Sequence, residues 1–415
     1  MKPEKQESSG LREAPPRRDW LRGFRRITSS GNYIPEIDGL RFIAIAGVVL
    51  HHIALAVSTE QNRGHGIFAL GQKGVELFFV ISGFVLALPL AAHFLLGAKP
   101  VKLKDYFVRR LTRLEPPYVV SLLILFVIKN YADTHRFVPN GVNLLYSLFY
   151  VHGPILGQPS LINAVAWSLE IEVQFYILMP LLALVFLIRG TWLRRAILVS
   201  AAVAMMLVQP LQYKAFWGMY DRHLLNFIQY FLAGILLADV FVTEWQNVSP
   251  APRRGSFAWG DLVWLVIWPI TLLVLARGGR IEHFALPALF FVLFAALFHS
   301  IWPRKLLRIA IIAIIGGMCY SIYLLHNSVI LIAAHSGLWW PSHNYYLGVL
   351  QNALILIPLI LLVCGAFFRL IERPCMRRDW PTRLRDALAR RMFIEDDEAT
   401  KSLDAAATDR NNLSG

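Results

Sequence analysis

Residues 37–52 read IDGLRFIAIAGVVLHH, an apolar run with an arginine near its start and two histidines at its end. Ionisable groups inside a membrane-spanning helix are costly, so they usually face the protein interior and serve a function. Arg41 and His52 are separated by 11 positions, which places them about 20° apart around a helix and roughly 16 Å apart along its axis. His51 falls about 80° from that face. The stretch predicts a membrane helix with Arg41 and His52 on one functional face, and His51 is interpreted as a packing residue.

The composition of the whole chain agrees with a membrane protein. Of its 415 residues, 56% are hydrophobic and 16% are charged, and the mean hydropathy is +0.50. These values exclude an ordinary soluble domain and are typical of a polytopic membrane protein. The three cysteines, Cys319, Cys364 and Cys375, have no paired spacing, so neither a disulfide framework nor a metal site is predicted.

Ten apolar segments are long enough to cross a bilayer as helices. They lie at about residues 36–58, 73–97, 114–130, 165–188, 195–211, 223–242, 259–276, 284–302, 308–334 and 345–370. We therefore predict an all-α polytopic membrane protein with about ten transmembrane helices. The transmembrane domain is predicted over residues 33–375, between a disordered basic cytoplasmic arm at 1–32 and a cytoplasmic tail at 376–415, which has a weak helix around 382–393.

The basic residues predict how these helices are oriented. If the N-terminus is cytoplasmic, the cytoplasmic segments hold 32 of the 41 lysines and arginines and the outer segments hold 8, with Arg41 inside the first span. Because positively charged loops stay on the cytoplasmic side, both termini are predicted to be cytoplasmic. The net charge of +14 then reflects membrane topology, and no nucleic-acid partner is expected.

This topology assigns a depth to the ionisable residues within the spans. His52, Glu76, Glu172 and His326 come from four different helices, and all are expected in the outer half of the membrane. The inner layer instead collects arginines, namely Arg109, Arg110, Arg113, Arg369 and Arg373. The pattern predicts chemistry in the outer half and an anionic ligand, held by the planar donor groups of arginine, in the inner half.

Two stretches carry groups whose roles the residues alone leave open. In GQKGVELFFVISGF, residues 71–84, Glu76 lies beside glycines that allow close helix packing. Ser82 in the same stretch is interpreted as a packing residue, because no nucleophile-elbow motif surrounds it. In RRLTRLEPPY, residues 109–118, the arginines are either an ordinary positive-inside anchor or a phosphate clamp.

Later spans carry the remaining candidates. In WSLEIEVQFY, residues 167–176, Glu170 and Glu172 are two positions apart, hence about 200° apart on a helix, so they cannot both face one site. Further along, Tyr323 precedes His326 by three positions and therefore shares a helix face with it.

Taken in order, these stretches resemble the acyltransferase-3 family of integral membrane O-acyltransferases. The family's signature of an arginine, ten residues and a histidine falls on Arg41 and His52. Its Gly-Val-Asp-Leu-Phe-Phe-x-x-Ser-Gly-Phe block matches residues 74–84, with Glu76 in place of the usual aspartate.

Two more blocks extend the resemblance to most of the chain. The family's Arg-Arg-x-x-Arg-x-x-Pro block matches Arg109 to Pro116, and its Trp-Ser-Leu-x-x-Glu-x-Gln-Phe-Tyr block assigns the family glutamate to Glu172. Each motif alone is weak, but the ordered set is specific. Since little sequence follows Pro374, we expect the stand-alone form, without the extracellular esterase-like domain that some relatives carry.

The resemblance implies transfer of an acyl group, commonly acetyl from acetyl-CoA, to a hydroxyl of a surface carbohydrate or related acceptor. A hydroxyl needs a base to attack a thioester, and a neutral histidine oriented by a carboxylate can serve. His52 is the expected base and Glu76 its partner. The residues expected to bind the donor are Arg41, Arg110, Arg113 and Arg373. Those expected to line the acceptor pocket or to brace the helices are Trp167, Ser168, Glu172, Tyr323 and His326.

The resemblance also implies the donor substrate, the partners and the cellular location. Acyl-CoA acts as a donor substrate, and no permanently bound cofactor or metal is expected. The partners are the lipid bilayer, with the bacterial inner membrane as the location, and a carbohydrate or lipid-linked glycan acceptor. The sequence gives no indication of an oligomer.

Two other functions remain open at the level of sequence. A transporter or acyl-group shuttle would also bury His and Glu in a multispan bundle, without acylating the final acceptor. A different membrane acyltransferase family is the other alternative, but the chain contains no His-x-x-x-x-Asp motif, which argues against the glycerolipid type.

Overall fold

The computed structural model describes residues 20–27, 33–58, 66–132, 137–215, 222–245, 258–377, 379–383, 385–386 and 389. All regular secondary structure in these residues is helical, which confirms the predicted all-α class. Most of the predicted arm at 1–32 and the tail from residue 390 lie outside the described residues, and the weak helix predicted around 382–393 lies only partly within them.

The α-helices are numbered in chain order. They are α1 (Pro35–Val57), α2 (Gly74–Leu96), α3 (Leu103–Ala132), α4 (Phe137–Leu148), α5 (His152–Leu156), α6 (Trp167–Leu182), α7 (Thr191–Ala215), α8 (Leu224–Val240), α9 (Trp259–Arg277), α10 (Gly279–Phe298), α11 (Trp302–Leu307), α12 (Ala310–Gly317), α13 (Cys319–His335) and α14 (Tyr345–Phe367). Short 3₁₀ or π-helical turns are described at Trp20–Phe24, Ile67–Lys73, Ala164–Ala166, Ala183–Leu187, Phe241–Trp245 and Phe368–Glu372, and the last is followed by a helical turn at Arg373–Cys375.

Nine helical segments of the described chain are long and apolar enough to cross a membrane. A tenth span is formed by α12 and α13 together, which bend by 72° at the break between Gly317 and Cys319. These segments match the ten predicted spans. The third span is longer than the predicted 114–130, because the helix already begins at Leu103. Lysine and arginine are good helix formers, so the basic run continues the helix although hydropathy does not detect it.

The bundle has two ends, because consecutive spans run in opposite directions. We call the end at which α1 begins the Arg side, since Arg41 lies towards it, and the end at which α1 finishes the His side, since His52 lies towards it. Helix α1 packs against α2, α12, α13 and α14. It therefore lies at the centre of the part of the bundle that holds the candidate site.

Two contacts of α1 require glycine. A Cβ atom at Gly71 would lie 2.2 Å from the carbonyl oxygen of Gly47, and a Cβ atom at Gly316 would lie 1.7 Å from the carbonyl oxygen of Asp38. Only a residue without a side chain permits such close backbone approach. Gly316 thereby holds the broken span against the first turns of α1.

The segment between α3 and α6 folds back into the bundle, and we call it the re-entrant hairpin (residues 137–163). Asn140 donates to the side-chain oxygen of Asn130 at 3.2 Å, near the His side of α3. Tyr118, in the middle of α3, donates to the carbonyl oxygen of Ser147 at 2.9 Å. The hairpin therefore reaches mid-bundle depth. Non-helical backbone is tolerated at such depth only where protein buries it or water lines it.

Helix α6 consequently begins inside the bundle rather than at its surface. The side-chain nitrogen of Asn163 donates to the carbonyl oxygen of Leu324 at 3.0 Å, and Tyr323 donates to the carbonyl oxygen of Val165 at 2.7 Å. Tyr323 and Leu324 lie in the first half of α13, within one turn of His326. The start of α6 is thus at the depth of the candidate site.

Candidate active site

Two histidine rings from different helices meet near the His side of the bundle. Nε2 of His326 lies 3.2 Å from Nδ1 of His52, and the ring centroids are 4.8 Å apart. His326 is completely buried, and His52 is partly buried. The sequence placed these two residues in one layer, and the structure brings them into direct contact.

The hydrogen-bond partners define where the protons of this pair lie. Nδ1 of His326 is 2.9 Å from the carbonyl oxygens of both Ile322 and Tyr323. A carbonyl can only accept, so in the neutral ring the proton is on Nδ1 and Nε2 is an acceptor. Nδ1 of His52 faces this acceptor and also lies 2.9 Å from the carbonyl oxygen of Val48. We therefore assign the His52 proton to Nδ1, which leaves the lone pair on Nε2 of His52 without a donor among the described residues.

A hydroxyl chain borders the histidine pair. The Ser168 and Tyr323 hydroxyl oxygens are 2.6 Å apart. Since Tyr323 donates its proton to the carbonyl oxygen of Val165, Ser168 is the donor to Tyr323. The rings of Tyr323 and His326 have centroids 6.0 Å apart. The predicted shared face of these two residues is confirmed, and Ser168 joins them from α6.

Trp167 lies beside Arg222, a basic residue that was not among the predicted site residues. The guanidinium carbon of Arg222 is 4.9 Å from the centre of the Trp167 ring, a cation–π contact. Arg222 also interacts electrostatically with His52 and Tyr323. A cation at this point can stabilise negative charge that develops on a substrate. The sequence feature that could have pointed to Arg222 is its position, because few basic residues lie on the predicted outer side.

Glu76 is not brought to His52, so the predicted pairing of these two residues is wrong. Its carboxylate accepts from Nζ of Lys73 at 3.0 Å, and Lys73 also pairs with Glu282 at 2.5 Å. Lysine three positions before Glu76 lies on the same helix face, and α10 supplies the second carboxylate. The nearest ring to His52 comes from α13 instead. Glu76 thus belongs to an ion-pair network between α2 and α10.

This position leads to an expected result for Glu76→Gln. The variant should keep acyl-transfer turnover within a few-fold of the parent, because the carboxylate does not contact the histidine pair. Its stability should fall by about 1.5–3 kcal/mol, the contribution of a hydrogen bond to a charged group. Thermal unfolding of the purified protein and a turnover assay measure the two effects. A loss of turnover near 100-fold without a change in stability would restore a catalytic role for Glu76.

The two carboxylates of the 167–176 stretch face different surroundings, as predicted. Glu170 is buried and accepts from the backbone N–H of Gly153 at 2.9 Å, which ties α6 to the re-entrant hairpin. Glu172 accepts from the Ser82 hydroxyl at 2.6 Å.

Glu172 lies deeper in the bundle than Glu76, although its partner Ser82 is still in the first half of α2. Its partner Ser82 lies six positions after Glu76 on α2, about 9 Å nearer to the Arg side. Glu172 also interacts electrostatically with Arg41. This greater depth follows from the re-entrant hairpin, because α6 starts inside the bundle rather than at its surface. Glu172 accordingly lies between the histidine pair and the arginines.

The second half of the site is a cluster of charges at the Arg side, centred on Asp38. One oxygen of this buried carboxylate pairs with Arg41 at 2.5 Å and with Arg26 at 3.1 Å. The other accepts from the hydroxyl of Tyr33 at 2.9 Å. Burial, followed by the charge of Asp38, raises the pKa of Tyr33, so this phenol remains a hydrogen-bond donor at neutral pH. Arg26 comes from the predicted arm and was not foreseen as a site residue.

The other predicted donor-binding arginines have different surroundings. Arg113 interacts electrostatically with Arg26 and with the carboxylate of Glu372, and its Nε is buried without a partner in the described part of the chain. Arg110 lies over the ring of Tyr106 at 4.8 Å. Arg373 donates to the backbone oxygen of Arg25 in the N-terminal segment. Of the four predicted donor-binding arginines, Arg41 and Arg113 are thus the two that lie near Arg26.

The pKa of Arg26, which was not a predicted site residue, is changed by burial and by neighbouring charges. Burial, followed by the positive charges of Arg113 and Arg41, lowers the pKa of Arg26 to about 9. The guanidinium is still protonated at neutral pH. A bound anion would stabilise the charged form of Arg26, because it offsets the repulsion among the arginines.

The charge cluster and the histidine pair lie on one side of α1. Arg41 lies near Cys319 at the start of α13, and His52 contacts His326 farther along the same helix. This arrangement confirms the shared face derived from the spacing of Arg41 and His52. A long ligand with an anionic end could contact both groups at once.

Comparison with known proteins places this geometry in context. Residues 34–369 match the family model described as an acyltransferase domain. The chain is 26% identical over 381 residues to the peptidoglycan O-acetyltransferase OatA of Listeria monocytogenes, covering 84% of this chain and 57% of that protein. It is 23% identical over 385 residues to the O-acetyltransferase OatA of Staphylococcus aureus, covering 86% and 59%. The chain thus spans less than two thirds of these relatives. No solved structure is significantly similar to it.

Proposed function

The chain belongs to the acyltransferase family that it matches over residues 34–369, and from this premise we propose that it transfers an acetyl group from acetyl-CoA to a hydroxyl of a surface carbohydrate. The carbohydrate acceptor is suggested by the printed name of the Listeria relative. The observation that carries the proposal is the contact between Nδ1 of His52 and Nε2 of His326, which leaves Nε2 of His52 available as a base on the face of α1 that also carries Arg41.

In the proposed reaction His52 acts as a general base. The acceptor oxygen attacks the thioester carbonyl carbon while Nε2 of His52 takes the hydroxyl proton. The new C–O bond forms as the C–S bond breaks, and the imidazolium returns the proton to the departing CoA thiolate. The products are the acetyl ester and free CoA. His326 keeps the ring of His52 in the required tautomer, and Arg222 would stabilise the oxyanion.

The proposed donor orientation follows from charge. The phosphates of CoA lie at one end of a long pantetheine arm and the thioester lies at the other. Arg41 and Arg113 would bind the phosphates, with the arm extended along α1 to His52, about 16 Å away. The Arg side is then cytoplasmic, in the bacterial inner membrane, and the acceptor reaches His52 from the His side. CoA is a substrate here and not a resident cofactor.

We expect Arg41→Ala to raise the KM for acetyl-CoA by about 10-fold or more, because a charge-assisted contact to phosphate is lost. Arg41→Lys should recover only part of the affinity, since an ammonium cannot make a bidentate contact. Initial rates at varied acetyl-CoA give both values. Arg280→Ala, which removes an exposed arginine at the His side, is the matched control. Unchanged donor KM in both Arg41 variants would remove Arg41 from the donor site.

The function itself is tested with the purified protein in lipid nanodiscs. Release of free CoA from acetyl-CoA, dependent on an added glycan, supports acyl transfer. Mass analysis of surface glycans from cells with and without the gene should show loss of one acetyl increment. Acetyl flux across liposomes without an acetylated product would instead favour a shuttle.

A further inference from the structure

A pocket of about 270 Å³ opens on the Arg side, beside the start of α1. Its lining includes three arginines, Arg25, Arg26 and Arg308, together with the carboxylate of Asp38 and the phenol of Tyr33. The pocket is separate from the histidine pair. Asp38 precedes His52 by 14 positions, about 21 Å along the axis of α1.

The N-terminal segment that forms one wall of this pocket (Trp20–Ile27) is fixed to the bundle. The backbone oxygen of Arg25 accepts from Nε of Arg373 at 3.2 Å. The ring of Phe24 lies 5.9 Å from the guanidinium carbon of Arg369. With the Arg26–Asp38 ion pair at 3.1 Å, these contacts hold the segment against the ends of α1 and α14. The predicted disordered arm thus contributes an ordered wall.

The pocket has an excess of positive charge. Among the described residues, its neighbouring carboxylates are Asp38, shared by Arg26 and Arg41, and Glu36, which Arg308 contacts at 2.7 Å. Arg304 also contacts Glu36, at 2.8 Å, and Arg25 adds a further charge to the lining.

Arg26 in particular retains bonding capacity. Its Nε atom is buried without a hydrogen-bond partner in the described part of the chain, although Nη1 is engaged by Asp38. Arginine side chains in a concave site of this kind bind phosphate groups, because several fixed donors converge on one anion.

We propose that this pocket binds the 3′-phosphate of the CoA donor and that Arg26 is its principal ligand. This inference rests on the proposed function, in which acyl-CoA is the donor. The ribose 3′-phosphate is at the end of CoA opposite the thioester. The pocket is correspondingly farther from His52 than Arg41 is. Arg41 and Arg113 then contact the diphosphate, and the N-terminal segment is part of the donor site.

The test compares acetyl-CoA with acetyl-3′-dephospho-CoA in nanodiscs. The parent protein should show a KM about 10–100-fold lower for acetyl-CoA, as expected for charge-assisted hydrogen bonds to one phosphate. Arg26→Ala should raise the KM for acetyl-CoA to nearly that of the dephospho compound. Its kinetic constants for the dephospho compound should match the parent's, which also shows that the variant is folded.

Lys305→Ala is the matched control, because it removes an exposed basic residue of α11, which lies on the same side, and Lys305 does not line the pocket. It should keep the parent's preference for acetyl-CoA. An Arg26→Ala protein that keeps the full preference overturns the proposal.

The same experiment separates other sources of phosphate. If a lipid headgroup occupies the pocket, the parent will not discriminate between the donors. Arg26→Ala will then lose phosphatidylglycerol in native mass spectra, and the proposal fails. Failure of the proposed function is distinct, because neither thioester would be consumed. In that case thermal shifts with CoA and 3′-dephospho-CoA would still decide whether the pocket binds the 3′-phosphate.

Discussion

Replacing His52 with alanine should lower the rate of acyl transfer by about 10²–10⁴-fold, the usual contribution of a general base. The protein should still insert and fold, because His52 is only partly buried. Its Nδ1 contacts are to a helix carbonyl and to the ring of His326. CoA release from acetyl-CoA, measured with a thiol reagent, gives the rate, and size-exclusion chromatography in detergent reports on the fold.

His51→Ala is the matched control for this experiment. The His51 ring lies edge-on to His52, with centroids 5.3 Å apart, and its Nδ1 is buried without a partner in the described residues. We expect this variant to retain most of the parent's rate. An inactive His51 variant beside an active His52 variant would transfer the role of base to His51.

The second large effect is expected at His326. His326→Leu keeps the approximate volume but removes the acceptor for Nδ1–H of His52, so the reactive tautomer is no longer favoured. We expect kcat to fall by about 100-fold, within the range of general-base effects, while the KM for acetyl-CoA stays unchanged. Steady-state kinetics at varied donor separate the two constants.

The conservative variant distinguishes positioning from packing. In His326→Gln the side-chain oxygen can accept from His52 in place of Nε2, so this variant should be clearly more active than His326→Leu. If the two variants were equally slow, and donor KM rose in both, His326 would only fill space between α1 and α13.

The sequence was sufficient for features that depend on local periodicity. The helical period placed Arg41 and His52 on one face and Tyr323 and His326 on another, and both relations hold in the structure. Hydropathy located all ten spans, because each is long enough to bury its own backbone hydrogen bonds in lipid.

Other features depend on which helices are neighbours, and one chain's periodicity does not contain that information. His52 and His326 are 274 positions apart, and Lys73 meets Glu282 only because α10 begins beside α2. Glu76 therefore had two candidate partners, His52 and Lys73, and in the structure it forms the ion pair with Lys73. The N-terminal segment was interpreted as disordered for a related reason, since it has too few apolar residues to fold without the bundle.

The re-entrant hairpin has a consequence for biosynthesis. Its polar residues, among them Asn143, His152 and Ser160, are buried, so the segment has no tendency to enter lipid by itself. Its inner end is tied by Asn163 to Leu324, which is translated 161 residues later. The candidate site is therefore complete only after α13 has been synthesised. A chain that ends before α13 lacks both His326 and the anchor of the hairpin, so we expect it to insert its first spans without forming the histidine pair.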